Sequence, residues 1–204
     1  MKMCMCMWLV WGAVVWSIGL GGCSITKPRP ETHHYVLSLS VPDAAGPRTA
    51  SLMVRSIEAR DPYNQERIVY RSSAYAFDLY NYHRWASTPG EQVTLWTRRF
   101  LRGSGVFTQV LPSSEGTADF VLDGTIQQFE ELDHEKTWEA ALSIDFWLVR
   151  SGERSPVWFQ SYTATQPATK RNPEAIAEAM SRCLENILGR LTTDLTPVVT
   201  RRTP

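Results

Sequence analysis

The stretch from Trp138 to Leu148 carries the most regular alternation in the chain. Trp138, Ala140, Leu142, Ile144, Phe146 and Leu148 share one parity, and Glu139, Ser143 and Asp145 fall opposite. A period of two puts these sets on the two faces of a strand, one dry and one wet. The flanking segments follow suit. Phe120, Leu122, Gly124 and Ile126 oppose Asp119, Asp123, Thr125 and Gln127, while Ser151-Gly152-Glu153 turns the chain into Val157–Ala164. The three segments predict an antiparallel meander with one covered face.

Something must cover that face, and two segments have the right pattern. Thr88-Pro89-Gly90-Glu91 reads as a capping box with proline at the first helical position. Val93, Trp96 and Phe100 then share a stripe, and Gly103 supplies the stop. Asn172-Pro173-Glu174 opens a second helix, whose stripe is Ile176, Met180, Cys183, Leu184, Ile187, Leu188 and Leu191. Shorter β patterns lie at Tyr35–Leu39, Ala50–Ala59, Arg67–Arg71, Ala74–Tyr82 and Val106–Leu111. The expected fold is α+β: a single domain over residues 35–195 and a polar tail over 196–204. Its largely antiparallel or mixed sheet has about six or seven strands, with two amphipathic helices on one face.

Ahead of the domain, Met1-Lys2 precedes an apolar run from Met3 to Ile18. That run is short of the roughly 20 residues a membrane helix needs, and it reads as a secretory signal over residues 1–22. Leu20-Gly21-Gly22-Cys23 resembles the bacterial lipobox, in which small residues fit a peptidase groove and the thiol is acylated. As an ordinary secretory cut, the site would leave Cys23 with Cys183 alone to pair with, so lipidation is the reading adopted. Two or three acyl chains hold a protein on a bilayer, each buried methylene contributing about 0.8 kcal/mol. In the sorting rule that goes with the lipobox, Ser24 implies export to the outer membrane. Lys27-Pro28-Arg29-Pro30 makes residues 23–34 an extended tether, reaching at most about 30 Å.

Enzyme signatures are missing. The 21 basic and 21 acidic residues balance, which argues against a nucleic-acid surface. His33-His34 is an adjacent pair with no cysteine near it, a poor zinc set. Ser104 lacks the nucleophile-elbow context, and no phosphate loop or dinucleotide fingerprint is present. Glu130-Glu131-Leu132-Asp133-His134-Glu135 reads as a solvated hairpin tip. No catalytic residue, metal site or cofactor is expected, and Cys183 reads as a small core residue. One cluster stands out. Tyr70, Tyr75, Phe77, Tyr80, Tyr82 and Trp85 crowd both parities of a strand region, so one set packs inside and the other meets something. Aromatic residues of this kind are enriched at interfaces. The cluster is a candidate docking surface, for further copies of the chain or for a partner.

The order of the lipobox, Tyr35-Val36-Leu37, Arg67-Ile68-Val69-Tyr70-Arg71, Tyr82-His83-Arg84-Trp85 before the Pro89 helix, and Phe120-Val121-Leu122-Asp123-Gly124 resembles a known family. It is that of ABC-type transport auxiliary lipoproteins, the PqiC-type partners of MCE (mammalian cell entry) lipid transporters. The resemblance spans about Tyr35 to Leu195. It implies a periplasm-facing outer-membrane lipoprotein, not an enzyme, working beside a permease, an ATPase and an MCE-domain protein that move phospholipid or similar lipid. A stand-alone lipid carrier is the alternative, and it would require a cavity where large inward residues (Trp96, Phe100, Trp138, Phe146) predict a filled core.

Overall fold

The computed structural model describes residues 30–46, 48–113, 116–134 and 136–201 of the 204-residue chain. Residues Leu20–Ser24, and with them the lipobox and sorting position, lie outside that set. The first half runs β1 (His33–Tyr35), β2 (Ala50–Val54), β3 (Glu58–Ala59), β4 (Arg67–Ser73), β5 (Ala76–Trp85) and α1 (Pro89–Gly103). The second runs β6 (Phe107–Pro112), β7 (Phe120–His134), β8 (Thr137–Arg150), β9 (Pro156–Pro167) and α2 (Pro173–Thr200).

The described strands form one mixed nine-stranded sheet. Its spine is β7, which pairs antiparallel with β8 along its whole length, from Phe120↔Arg150 to His134↔Thr137. Outside β8 lies β9, also antiparallel. The opposite edge of β7 accepts β2, β3 and β4 in succession, all parallel. Beyond them lie β6 beside β2, β5 beside β4, and β1 beside β5. The α+β class and the meander agree with the sequence reading. The strand count of nine exceeds the expected six or seven, in part because residues 50–59 divide into β2 and β3. No period-two pattern reveals which neighbour a strand pairs with or in which direction.

Both helices start as their caps predict. Thr88 N donates to Glu91 Oε2 at 3.0 Å while Thr88 Oγ1 accepts from Glu91 N, and Asn172 Oδ1 accepts from Ala175 N at 2.8 Å. The ends differ from expectation. Gly103 is still helical, and Gly105, at φ +72°, is the left-handed residue that re-aims the chain. The residues expected as a tail from Thr196 continue α2 to Thr200, through Pro197. A helix-interior proline costs about 3 kcal/mol. Burial of Leu195 and Val199 in the core is of the size that offsets it, at about 1.5–3 kcal/mol for each fully buried side chain.

The core lies between the sheet and the helices. Leu142, Ile144, Phe146 and Leu148 of β8 meet the stripe of α2 from Ile176 to Leu195, all fully buried. From α1, Val93, Phe100 and Leu101 pack in, whereas Trp96 and Trp138 stay at the rim. Cys183 is buried against Ala140 O, and desolvation pushes its thiol up to about 12. The segment expected as a strand over Tyr35–Leu39 leaves the sheet after Tyr35. Helix side chains take over its backbone bonds: Leu37 N donates to Gln92 Oε1 (2.7 Å), Trp96 Nε1 donates to Leu37 O (3.0 Å), and Ser38 N donates to Ser181 Oγ (3.1 Å).

A bulge in β7 between Ile126 and Gln128 has a large consequence. It inverts the parity of the strand beyond it, so the helix-facing set changes from Leu122 and Ile126 to Phe129 and Glu131. Glu130 and Glu131, expected at a solvated tip, are therefore strand residues with 2% and 0% exposure.

Candidate functional site

The aromatic cluster sits where β4, β5 and β1 form one end of the sheet. Cross-strand pairing sets Val69 against Leu79, Tyr70 against Asp78 and Arg71 against Phe77. A chain of rings then crosses the three strands. Tyr70 and Tyr80 lie 4.9 Å apart between centroids, Tyr80 meets His83 edge-on at 5.5 Å, and His83 stacks on His33 at 5.4 Å. Tyr35 closes the set, with its hydroxyl 2.9 Å from His83 Nδ1. Such ring pairs contribute about 0.5–1.5 kcal/mol each beyond area burial. Burial, and behind it His33, holds the His83 imidazole below its ordinary range.

Two carboxylates lie under this end. Tyr80 Oη donates to both oxygens of Glu131, at 3.1 and 3.2 Å. Desolvation raises Glu131 to about 7 against the relief given by that bond, and it also raises the Tyr80 phenol. Glu130, on the other face, accepts from Tyr63 Oη, Arg71 Nε and Gln128 Nε2 at 2.8–2.9 Å. With burial leading and Glu130 adding, the Tyr63 phenol rises to about 12.

The six candidate aromatics thus divide. Trp85 is 1% exposed and meets Phe129 edge-on at 5.1 Å, so it belongs to the core and not to a surface. Tyr70 and Tyr80 are half-buried in the ring chain. Tyr75 (99% exposed), Phe77 (49%) and Tyr82 (43%) face solvent. Along Ala76–Tyr82 the outer edge of β5 pairs with no described strand, because β1 covers only His83–Trp85. Unpaired main-chain groups beside exposed rings are the ingredients of a strand-pairing or docking edge. Sequence reasoning missed the partners Glu131, His33 and Tyr35, since no spacing rule links β7 or β1 to β5. It also missed an apolar row on the sheet face away from the helices. There Leu111, Met53, Val121 and Val149 lie in register, next to Trp147 and the exposed Phe159.

Among the described residues no three potential metal ligands converge, and no helix is long and apolar enough to cross a membrane. What the fold offers is a packed α+β core and a sheet edge with rings on it. The chain belongs to the ABC-type transport auxiliary lipoprotein component family, whose model matches residues 35–191. Its fold is similar to that of protein XCC0632 from Xanthomonas campestris, with TM-score 0.72 and 20% identity over 82% of this chain and 96% of that one. A second crystal structure, of an uncharacterized protein, gives TM-score 0.67 and 14% identity over 81% and 99%. Among curated proteins none matches the sequence.

Proposed function

We propose that the chain is the non-enzymatic, outer-membrane-anchored adaptor of an MCE-type ABC lipid transporter, held by acyl chains on Cys23. The family match over residues 35–191, preceded by Leu20-Gly21-Gly22-Cys23, carries this reading. Ser24 supports the outer membrane as destination. A permease, an ATPase and an MCE-domain protein are the proposed partners. The adaptor is favoured over a stand-alone carrier by Trp85, Phe129, Phe146 and Tyr162, which fill the core where an acyl chain would otherwise lie. Co-purification of the tagged lipoprotein from detergent-solubilised envelopes should recover the three transporter subunits. Palmitate label should enter the mature protein and vanish entirely in Cys23→Ser, because the thiol is the acylated atom. Unlabelled wild-type protein would remove the anchor; recovery of the chain alone would remove the transporter.

The exposed rings are the proposed contact, for the partner or for further copies of the chain. Changing Tyr75, Phe77 and Tyr82 together to Ser leaves the core untouched, so stability should move by only about 0.5 kcal/mol per site. Size measurements and pull-downs should then lose the assembly. Retained assembly with the fold intact would rule this edge out. Tyr80 is unsuitable for the test, because its hydroxyl serves Glu131.

A further inference from the structure

A groove of about 370 Å³ opens between the amino-terminal half of α1 and the loop joining β2 to β3. Its walls are tied together through the Thr94 hydroxyl. Ile57 N donates to Thr94 Oγ1 at 2.8 Å, and Thr94 Oγ1 donates on to Gly90 O at 2.7 Å. Gly90 lies so close to the Ile57 carbonyl that a Cβ there would sit 2.5 Å from its oxygen. The loop and helix therefore hold a fixed separation, which is what a preorganised site requires.

The charges lining this groove are unusual. Arg98 is half-buried, and its Nε and Nη2 both donate to Val54 O, at 3.3 and 3.0 Å. A guanidinium has five N–H donors in a fixed fork, so one carbonyl leaves most of them for the groove. Among the described residues the ion pairs are those of Arg55, Arg71, His134, Arg150, Arg171 and Arg182, and Arg98 has none. Burial, and behind it the like charge of Arg102, works against its charged form. A half-buried cation with no ion pair among the described residues favours an incoming oxyanion, and Arg suits phosphate or carboxylate by its planar fork. Two carboxylates also line the groove. Glu91 is engaged through one oxygen at the helix cap, and Glu58 is exposed and makes no side-chain hydrogen bond or ion pair with the described residues. Leu95, 45% exposed, adds an apolar wall.

We infer that this groove binds a small zwitterion that bears a phosphate and an ammonium group, of the phosphoethanolamine type. The phosphate lies on Arg98 and the ammonium on Glu58. The volume suits a headgroup and not an acyl chain, in keeping with the filled core. This goes beyond the adaptor reading and stands independently of it, since the groove's charges are the same with or without a transporter.

The test is a titration of the detergent-solubilised mature protein with O-phosphoethanolamine, followed by amide NMR. Saturable shifts at Ser56, Ile57 and Thr94 are expected. Glu58→Gln should weaken phosphoethanolamine about tenfold, equivalent to about 1.4 kcal/mol, and leave inorganic phosphate binding as tight or tighter, because it removes a negative charge from the groove. Arg98→Lys should weaken both. Because Arg98 also holds Val54 O, Glu58→Gln is the deciding variant; among the described residues the Glu58 side chain makes no hydrogen bond or ion pair. Vesicles of phosphatidylethanolamine that displace the soluble headgroup identify the source as lipid, and failure to displace identifies a free phosphoamine. No saturable shift at those amides overturns the site. Equal binding of phosphoethanolamine by wild type and Glu58→Gln overturns the zwitterion. Loss of transporter co-purification alone would leave both results unchanged.

Discussion

Truncating Trp85 to alanine should lower the unfolding free energy by about 3–5 kcal/mol, the range for large aromatic residues in closed cores. Trp85 ends β5 where it meets two further strands of the sheet. It pairs with Tyr35 of β1, its ring meets Phe129 of β7, and its backbone N–H donates to Glu66 O at 2.6 Å. Collapse into the space is limited, because Phe129 lies in a fifteen-residue strand and β1 is held through Ala86 N to Tyr35 O. For a domain of this length the loss corresponds to a fall in Tm of roughly 10 °C. Denaturant titration of wild type and Trp85→Ala measures it. A change below about 1 kcal/mol, ordinary for a surface position, would return Trp85 to the exposed set.

That residue also marks where the sequence stops being readable. Features settled within a few residues were legible: the Thr88 and Asn172 caps, the β8 alternation, the stripe of α2, the aromatic crowding itself. Features settled by distant segments were not. Tyr80 and Trp85 are equally aromatic in sequence, yet one meets a carboxylate of β7 and the other a phenyl ring of the same strand. The bulge at Ile126/Gln128 leaves no mark, because Gln127 and Gln128 read as polar strand residues either way. Without it, Glu131 falls on the wrong face. Pro197 failed in the opposite sense: the local rule was sound, and core burial of Leu195 and Val199 overrode it. Among the described residues, five of the eight strand pairings are parallel, and each joins segments far apart in the chain.

Glu131→Gln should stabilise the protein above pH 7 and flatten its pH dependence. In the fold, burial disfavours the carboxylate and raises Glu131 to about 7 from 4.5. Below about pH 4.5 both folded and unfolded chains hold the proton, and its contribution is intact. Between about 4.5 and 7 the unfolded chain has released the proton and the folded chain keeps it, so stability falls as pH rises. Above 7 the loss is complete and amounts to roughly 3 kcal/mol. Glutamine retains a carbonyl to accept from Tyr80 Oη and carries no charge to desolvate. His83 works in the other direction, because its depressed range makes stability fall as pH drops. The same His83 is present in both proteins, so the difference between them isolates Glu131. Asp133 and Arg171 near Glu131 act through their charges, Asp133 raising it and Arg171 lowering it, and the substitution leaves both in place. Denaturant midpoints at pH 5, 6, 7 and 8 should therefore diverge with pH, the variant gaining on wild type. Parallel curves would mean that Glu131 is already ionised in the fold, with Tyr80 supplying more to the carboxylate than burial removes.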